Sequence, residues 1–181
     1  MVWSTPMTAV TNQIFTASQF NSNVRDNLLE TAVANATTAG SLFRVSGNNS
    51  ITEAIPGYNE VLASESTTST SYTNLTTVGP QVTVTTGVSA LVFMRAEIGQ
   101  SVSGAGAWIG LAISGATTQA AGTLYELGHG AETSGTFYTH FDIFRVTGLT
   151  PGSNTFTMQY KSLSSSSSCK AAYRAMLVIP L

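Results

Sequence analysis

The stretch QVTVTTGVSALVFMRAEI, residues 81–98, decides the fold class because it holds two strand patterns on either side of a turn. Residues 81–86 alternate Val with polar side chains, and Gly87 follows as a turn residue. Residues 90–98 alternate between two faces, with Val92, Met94, Ala96 and Ile98 on one and Leu91, Phe93, Arg95 and Glu97 on the other. A period of two is typical of a strand that buries one face. The stretch therefore predicts strands that contribute to a core.

The same pattern recurs through the C-terminal part of the chain. Further strands are predicted at residues 107–113, 123–127, 136–146, 155–161 and 170–179. Charged residues make up only 9% of the chain, against about a quarter in a typical soluble domain, and this balance suits strands better than helices. We therefore expect residues 61–181 to form an antiparallel β-sandwich of the jelly-roll type.

One segment, residues 16–36 (TASQFNSNVRDNLLETAVANA), has helical periodicity instead. Phe20, Val24 and Leu28 recur every four residues and form one apolar stripe on an otherwise polar helix. A single helix of this length is marginal in water unless its stripe is covered. The helix is therefore expected either to pack on the β domain or to dock on a partner.

The start of this helix carries two sequence signals. Thr16 and Gln19 have the spacing of a capping box, and Phe15 is placed to contact Phe20 as a hydrophobic staple. Gly40 is a candidate helix stop. These signals place the beginning of the helix more firmly than its end.

The segments on either side of the helix lack a clear period. Residues 1–15 contain Pro6, which interrupts regular pairing, and are predicted to form an extended arm. A frayed terminus is the alternative, but Trp3 argues against it because an indole is normally buried. Residues 37–60 are rich in Gly, Asn and Pro around two short apolar patches, and are predicted to be a linker with one or two brief strands.

Composition excludes several classes of function. The net charge is −2, and the seven Lys and Arg residues are scattered singly, so no cationic patch for nucleic acid is expected. No apolar run approaches the ~20 residues that span a bilayer, and the N-terminus lacks the pattern of a signal peptide. We therefore expect a soluble protein that is synthesised in a cytoplasm and binds neither membrane nor nucleic acid.

Few residues suggest chemistry. His140 and Asp142 share one strand face, which is the beginning of a general base, but no nucleophile or further ligand is placed by spacing. His129 lies between two glycines and is interpreted as a loop histidine. The single Cys169 permits no intrachain disulfide and has no neighbouring base. No catalytic residue, cofactor or metal site is predicted, and the protein is not expected to be an enzyme.

The N-terminal motif resembles a family of virion proteins. The residues that carry the resemblance are Trp3, Thr5 and Pro6, then Thr16, Ala17, Gln19, Phe20 and Asn21, and finally Arg25, Asp26, Asn27 and Leu28. They are similar to the opening of minor tail or structural proteins of bacteriophages that infect actinobacteria. The phrases GPQVTVTTG and VTGLTPGSNTFTMQYK resemble the β domain that often follows. The resemblance implies a particle component without catalytic activity, made in the host and placed on the outside of the phage, on either the tail or the capsid.

A docking role for the arm and helix follows as a hypothesis. Trp3, Phe20, Val24 and Leu28 are expected to contact a neighbouring virion protein, while Arg25 and Asp26 fix the register through charge-assisted hydrogen bonds. Asp26 lies four residues before Glu30, a repulsive spacing, which favours an external partner. The alternative is that the charged residues form a solvated face.

Two further interpretations concern assembly and ligands. The apolar strand surface of residues 90–98, 107–113 and 175–181 favours a homo-oligomer, and analogy with phage appendages favours a trimer. A module that binds a host cell-wall glycan is an alternative function, with Tyr125, Tyr138, Tyr173 or Trp108 stacking on sugar rings. A hydrolase acting on the cell envelope would need a carboxylate pair in a cleft, which nothing in the spacing suggests.

Overall fold

The computed structural model describes residues 7–8, 10–29, 31, 36–48, 50–130 and 133–181. The chain divides into two compact units, Met1–Ile55 and Pro56–Leu181. The first unit contains a short helix and a β-hairpin, and the second contains all the other strands. The protein is mainly β, with antiparallel sheets in a sandwich-like arrangement, so the predicted fold class is confirmed.

The N-terminal helix is shorter than predicted. It consists of α1 (Ala17–Phe20), a π-helical turn (Asn21–Arg25) and α2 (Asp26–Leu28). Leu29 lies in a turn and Thr31 in a bend, so the predicted helix over residues 16–36 is too long. No helix in the described part of the chain has the length and apolar character needed to cross a membrane.

Polar side chains explain the irregularity of this helix. Asn23 Nδ2 donates to the carbonyl of Gln19 at 3.0 Å, and Thr31 Oγ1 donates to the carbonyl of Leu28 at 2.9 Å. Short polar side chains that bond to the backbone compete with regular helical hydrogen bonds. The polar residues between the apolar positions therefore favour a π turn and an early end.

Both predicted signals at the start of the helix are confirmed. Thr16 Oγ1 accepts a hydrogen bond from the Gln19 amide at 3.2 Å, and Gln19 Oε1 accepts one from the Thr16 amide at 2.9 Å. The ring centroids of Phe15 and Phe20 are 6.0 Å apart in an edge-to-face contact. Gly40 has a positive φ of 83° but lies in the turn before the hairpin, so it does not end the helix.

The segment predicted as a linker contains a hairpin, β1 (Leu42–Gly47) paired antiparallel with β2 (Ser50–Ala54). Glu53 on β2 accepts hydrogen bonds from the amides of Thr38 and Thr37 and from the Thr37 hydroxyl. These donors lower the pKa of Glu53 to about 2. One carboxylate thus holds the chain that leads into the hairpin.

Nine strands form the second unit. They are β3 (Gly57–Val61), β4 (Glu65–Thr67), β5 (Gln81–Thr86), β6 (Ser89–Gln100), β7 (Ala107–Gly115), β8 (Glu126–His129), β9 (Phe137–Thr147), β10 (Gly152–Ser162) and β11 (Cys169–Pro180). One sheet has the order β5-β10-β7-β8, and the other has the order β3-β11-β6-β9 with β4 also pairing β11. Most connections cross between the two sheets, which is a jelly-roll-like arrangement.

The observed strands follow the predicted ones closely, with three differences, of which the first is that β4 (Glu65–Thr67) was not predicted. Strand β8 begins at Glu126 and includes His129, so the prediction of a strand at residues 123–127 followed by a loop histidine is wrong. Strand β3 ends at Val61, where the sequence analysis begins the sandwich, so the sheet includes residues that were assigned to the linker.

The core lies between the two sheets. The predicted alternation of β6 is confirmed, and its buried face is the one with Val92, Met94, Ala96 and Ile98, whose side chains are fully buried. Facing them from the other sheet are buried side chains of β7 and β10: Ile109, Leu111, Ile113, Phe156, Met158 and Tyr160. The alternation seen in the sequence therefore leaves the opposite face of β6 pointing away from the core.

Candidate functional site

Two surfaces expose apolar side chains, and the first is the helix stripe, defined here as Phe20, Val24 and Leu28. Phe20 is 48% exposed and Leu28 59% exposed, while Val24 is half-buried. Ile14, just before the helix, is also exposed. Trp3, the other apolar residue predicted to dock, lies outside the described residues. The described part of the chain thus leaves the two ends of the stripe open to solvent.

The buried side of the helix differs from the predicted one. Asn27, which the sequence placed on the polar side, is only 4% exposed, and it is the only residue of α2 that is buried. The reason is the π turn, because a wider turn rotates the residues that follow it relative to a regular α-helix. The fourfold spacing of Phe20 and Leu28 therefore does not bury them together.

Arg25 and Asp26 contact each other. Asp26 Oδ1 accepts from Arg25 Nε at 2.7 Å and lies 2.7 Å from Arg25 Nη2, and both side chains are about half exposed. The repulsive spacing between Asp26 and Glu30 led us to expect an external partner, but Arg25 already neutralises Asp26, and Glu30 lies outside the described residues. The pair presents an exposed, preformed ionic group beside the helix stripe.

The second surface is the outer sheet face, defined as the side chains of β3, β11, β6 and β9 that point away from the core. Strand register aligns one row across all four strands: Tyr58, Leu177, Phe93 and Ile143. The adjacent row, two residues along each strand, contains Glu60, Ala175, Arg95 and Phe141. Tyr58 is 62% exposed and Phe141 60% exposed.

A shallow groove runs over this outer sheet face. Its volume is about 280 Å³, and Tyr58, Phe93, Phe141 and Leu177 are among the residues that line it. The rings of Phe93 and Phe141 lie 6.4 Å apart. A contiguous exposed apolar surface is a candidate interaction surface.

The outer sheet face also carries opposite charges. Tyr58 Oη donates to Glu60 Oε2 at 2.8 Å, and this bond raises the pKa of Tyr58. Arg95 forms no salt bridge with any of the described residues. Glu60 and Arg95 lie on either side of Ala175 in the same row, and no salt bridge joins them in the described part of the chain.

The two histidines meet where the sheets come together. His129 Nδ1 lies 3.1 Å from His140 Nε2, and the edge of the His129 ring contacts Tyr138. His129 is the last residue of β8 and is buried, so it is not the loop histidine that the sequence predicted. Among the described residues no group of three or more His, Cys, Asp and Glu side chains is arranged to hold a metal ion.

Strand β11 carries a buried cation that the sequence did not single out. Arg174 is 0% exposed and donates through Nη2 to Glu65 Oε2 at 3.0 Å and through Nη1 to the Gly79 carbonyl at 3.3 Å. Burial alone would raise the pKa of Glu65, but hydrogen bonds from Thr77 and Arg174 outweigh it and lower that pKa. The cluster joins β4 and the segment before β5 to β11, which is a structural role.

A third polar cluster lies on the outside of the other sheet. Tyr72 Oη donates to Glu126, and Lys161 Nζ lies 4.0 Å from Glu126 Oε2 and 4.3 Å from the centre of the Tyr72 ring. Burial and the bond to Glu126 raise the pKa of Tyr72. The three groups satisfy one another, and no exposed nucleophile stands beside them.

The aromatic residues proposed for glycan stacking are dispersed. Tyr125 packs against Phe144 at the core, and the half-buried ring of Trp108 lies over Gly128. Tyr138 and Tyr173 are exposed, but their strands β9 and β11 are separated by β6. The structure therefore does not bring these rings together as one platform.

The remaining candidate for chemistry is buried. Burial raises the pKa of the Cys169 thiol to about 12. A thiol is nucleophilic as the thiolate, and Cys169 is protonated at neutral pH. This agrees with the interpretation of Cys169 as an idle thiol, despite the neighbouring Lys170.

Comparisons with known proteins add little to this description. No protein-family model matches the sequence, and a search of curated proteins finds no similar sequence. Among solved structures, the chain is similar to the structure of Eiger TNF from S. frugiperda, with 10% sequence identity and a TM-score of 0.49. The alignment covers 71% of this chain and 92% of that one. Inference about function therefore starts from the surfaces of this chain.

Proposed function

We propose that the protein is a non-enzymatic structural component of a bacteriophage virion, most simply a minor tail or tail-appendage protein. Its N-terminal arm and helix dock on another virion protein, and its sandwich is displayed on the outside of the particle. It is made in the host cytoplasm, uses no cofactor and works as a homo-oligomer, with a trimer favoured by analogy with phage appendages. The alternative is a protein that decorates the capsid surface, which is the same structural role at a different position on the particle.

The observation that carries this proposal is the exposed helix stripe within the motif that resembles virion proteins. Phe20 and Leu28 are about half exposed, although the helix has a complete capping box and so is well defined at its start. A short helix with an uncovered stripe gains little stability from its own unit and gains more when a partner covers it. The adjacent pair of Arg25 and Asp26 supplies a charged group that can set the register of docking.

The same geometry argues against the other functions considered. An envelope hydrolase needs an accessible nucleophile or carboxylate pair, whereas the carboxylates of the two polar clusters, Glu65 and Glu126, are bonded to Arg174 and Tyr72. A glycan-binding module needs aromatic rings on a shared surface, and the exposed Tyr138 and Tyr173 lie on strands that do not pair.

Incorporation into particles tests the proposal. The gene for this chain is deleted from the phage that encodes it, and variants are expressed in the host instead. The protein is then quantified in gradient-purified particles. Phe20→Ser together with Leu28→Ser should reduce incorporation at least tenfold, because the docking contact is lost. Leu124→Ser, an exposed apolar change in the sandwich, is the matched control and should leave incorporation unchanged.

Charge variants test the register role of Arg25 and Asp26 separately from the apolar contact of the helix stripe. Arg25→Ala together with Asp26→Ala should lower incorporation less than loss of the helix stripe does. Unchanged incorporation of this variant would remove the register role. Absence of the wild-type chain from purified particles would overturn the proposed function, and labelling with antibody in electron micrographs distinguishes tail from capsid.

A further inference from the structure

We infer that the outer sheet face formed by β3, β11, β6 and β9 is the surface through which copies of this chain associate. This inference deepens the homo-oligomeric part of the proposed function by naming the surface that would form the interface. It is independent of the helix stripe, because the two surfaces belong to different compact units.

The first support is the composition of the face. The row of Tyr58, Leu177, Phe93 and Ile143 places apolar side chains on all four strands, where a solvated sheet would carry polar residues. Interface centres are enriched in aromatic residues and depleted of charge, which matches this row. The outward side chains of the other sheet provide an internal contrast, because β10 presents Thr155, Thr157, Gln159 and Lys161 there.

The second support is size. Strands β11, β6 and β9 are each about 40 Å long and β3 is about 17 Å long, so at about 4.8 Å spacing the face covers roughly 650 Å². A stable protein interface covers about 800 Å² on each partner, so the face is of the order that an association of copies requires. A small ligand would cover only the groove of about 280 Å³ and leave most of the apolar surface exposed.

The third support is charge. Glu60 and Arg95 both lie in the row next to the apolar one, and Arg95 forms no salt bridge with any residue that the structure describes. A face that carries both signs can be complementary to another copy of itself, whereas a partner with one dominant sign would leave one of the two unmatched. The low overall charge of −2 also opposes association only weakly.

The mass of the full-length chain in solution tests the inference. Light scattering of the wild type should give two copies of the 18.9 kDa chain when the face meets the same face of another copy, and three when it meets a different surface, as the trimer of the proposed function requires. Phe141→Glu, at a side chain that is already exposed, should give the mass of a single chain. Phe20→Glu on the helix stripe and Leu124→Glu elsewhere on the sandwich are matched controls, and both should keep the wild-type mass.

A second variant keeps the test decisive if Phe141→Glu does not fold, as judged by circular dichroism. Arg95→Glu makes Glu60, Glu97 and the new carboxylate like-charged neighbours, and should weaken association at least tenfold in dissociation constant. A single-chain mass for the wild type at all concentrations would overturn the inference, as would a folded Phe141→Glu variant of unchanged mass. A dimeric wild type would remove the trimer while supporting the interface, and none of these masses bears on incorporation into particles.

Discussion

The apolar core side chains of the sandwich are buried, whereas those of the N-terminal helix are partly exposed. On β6, the side chains of Met94 and Ile98 are fully buried, because a second sheet meets them across the core. On the helix, Phe20 and Leu28 remain about half exposed, and local hydrogen bonds such as the capping box define the structure. The sandwich therefore has a core of its own, whereas the helix leaves apolar surface exposed, which is the surface that the docking proposal assigns to a partner.

The largest expected difference between the two regions is the response to truncation of an aromatic side chain. Phe156→Ala in the core should lower the free energy of unfolding by about 3–5 kcal/mol, because it removes buried surface and leaves a cavity. Phe20→Ala should change it by less than about 0.5 kcal/mol, since the ring is already exposed. Denaturant titration of the two variants measures the difference, and equal losses would contradict it.

Removal of an arginine compares the two ion pairs. Arg174→Ala should lower the free energy of unfolding by about 3–5 kcal/mol, because it removes a fully buried side chain together with its bonds to Glu65 and the Gly79 carbonyl. Arg25→Ala should change it by less than about 1 kcal/mol, because the pair with Asp26 is exposed and screened by solvent. Thermal unfolding of both variants is the measurement. A large loss for Arg25→Ala alone would show that the helix, not the sandwich, limits stability.

The pH dependence of stability sharpens this comparison. The pKa of Glu65 is lowered in the folded protein, so its ionised form stabilises the sandwich above the ordinary value of 4.5, and this contribution is lost as the pH falls through the folded value. Glu65→Gln should therefore be less stable than the wild type at pH 7, with a gap that narrows below about pH 4.5. A gap that stays constant with pH would contradict this role.

The smallest expected effect is at the helix cap. Thr16→Ala removes the side-chain acceptor of the capping box and should destabilise the helix by about 1 kcal/mol without changing the unfolding temperature of the sandwich. Amide hydrogen exchange across residues 16–29 measures the first effect. Ser18→Ala, within the same turn, is the control and should have little effect on exchange. A matching drop in the stability of the sandwich would show that the two units are coupled.

Patterns confined to one element were predictable from the sequence. The alternation in residues 90–98 divided the side chains of β6 correctly into two faces, and the spacing of Thr16 and Gln19 identified the capping box, because both depend on local geometry. The π turn, which depends on several polar side chains bonding to the backbone, was missed, and with it the early end of the helix.

Contacts between distant strands were not predictable. The approach of His129 to His140 depends on β8 lying against β9, and the pair of Arg174 with Glu65 depends on β4 pairing with β11. No local spacing connects these residues. The outer sheet face was visible only in part, since the sequence grouped Phe93 with Arg95 on one face of β6 but did not show that Tyr58 and Ile143 lie in the same row as Phe93.

Hydrogen exchange, measured on the free chain and on purified phage particles, tests the central claim most directly. The account predicts that amides of residues 16–29 exchange rapidly in the free chain and become strongly protected in the particle. Amides in the core strands β6 and β10 should be protected in both states. Equal exchange of the helix in the two states, or absence of the chain from the particles, would contradict the claim that this helix is the docking element.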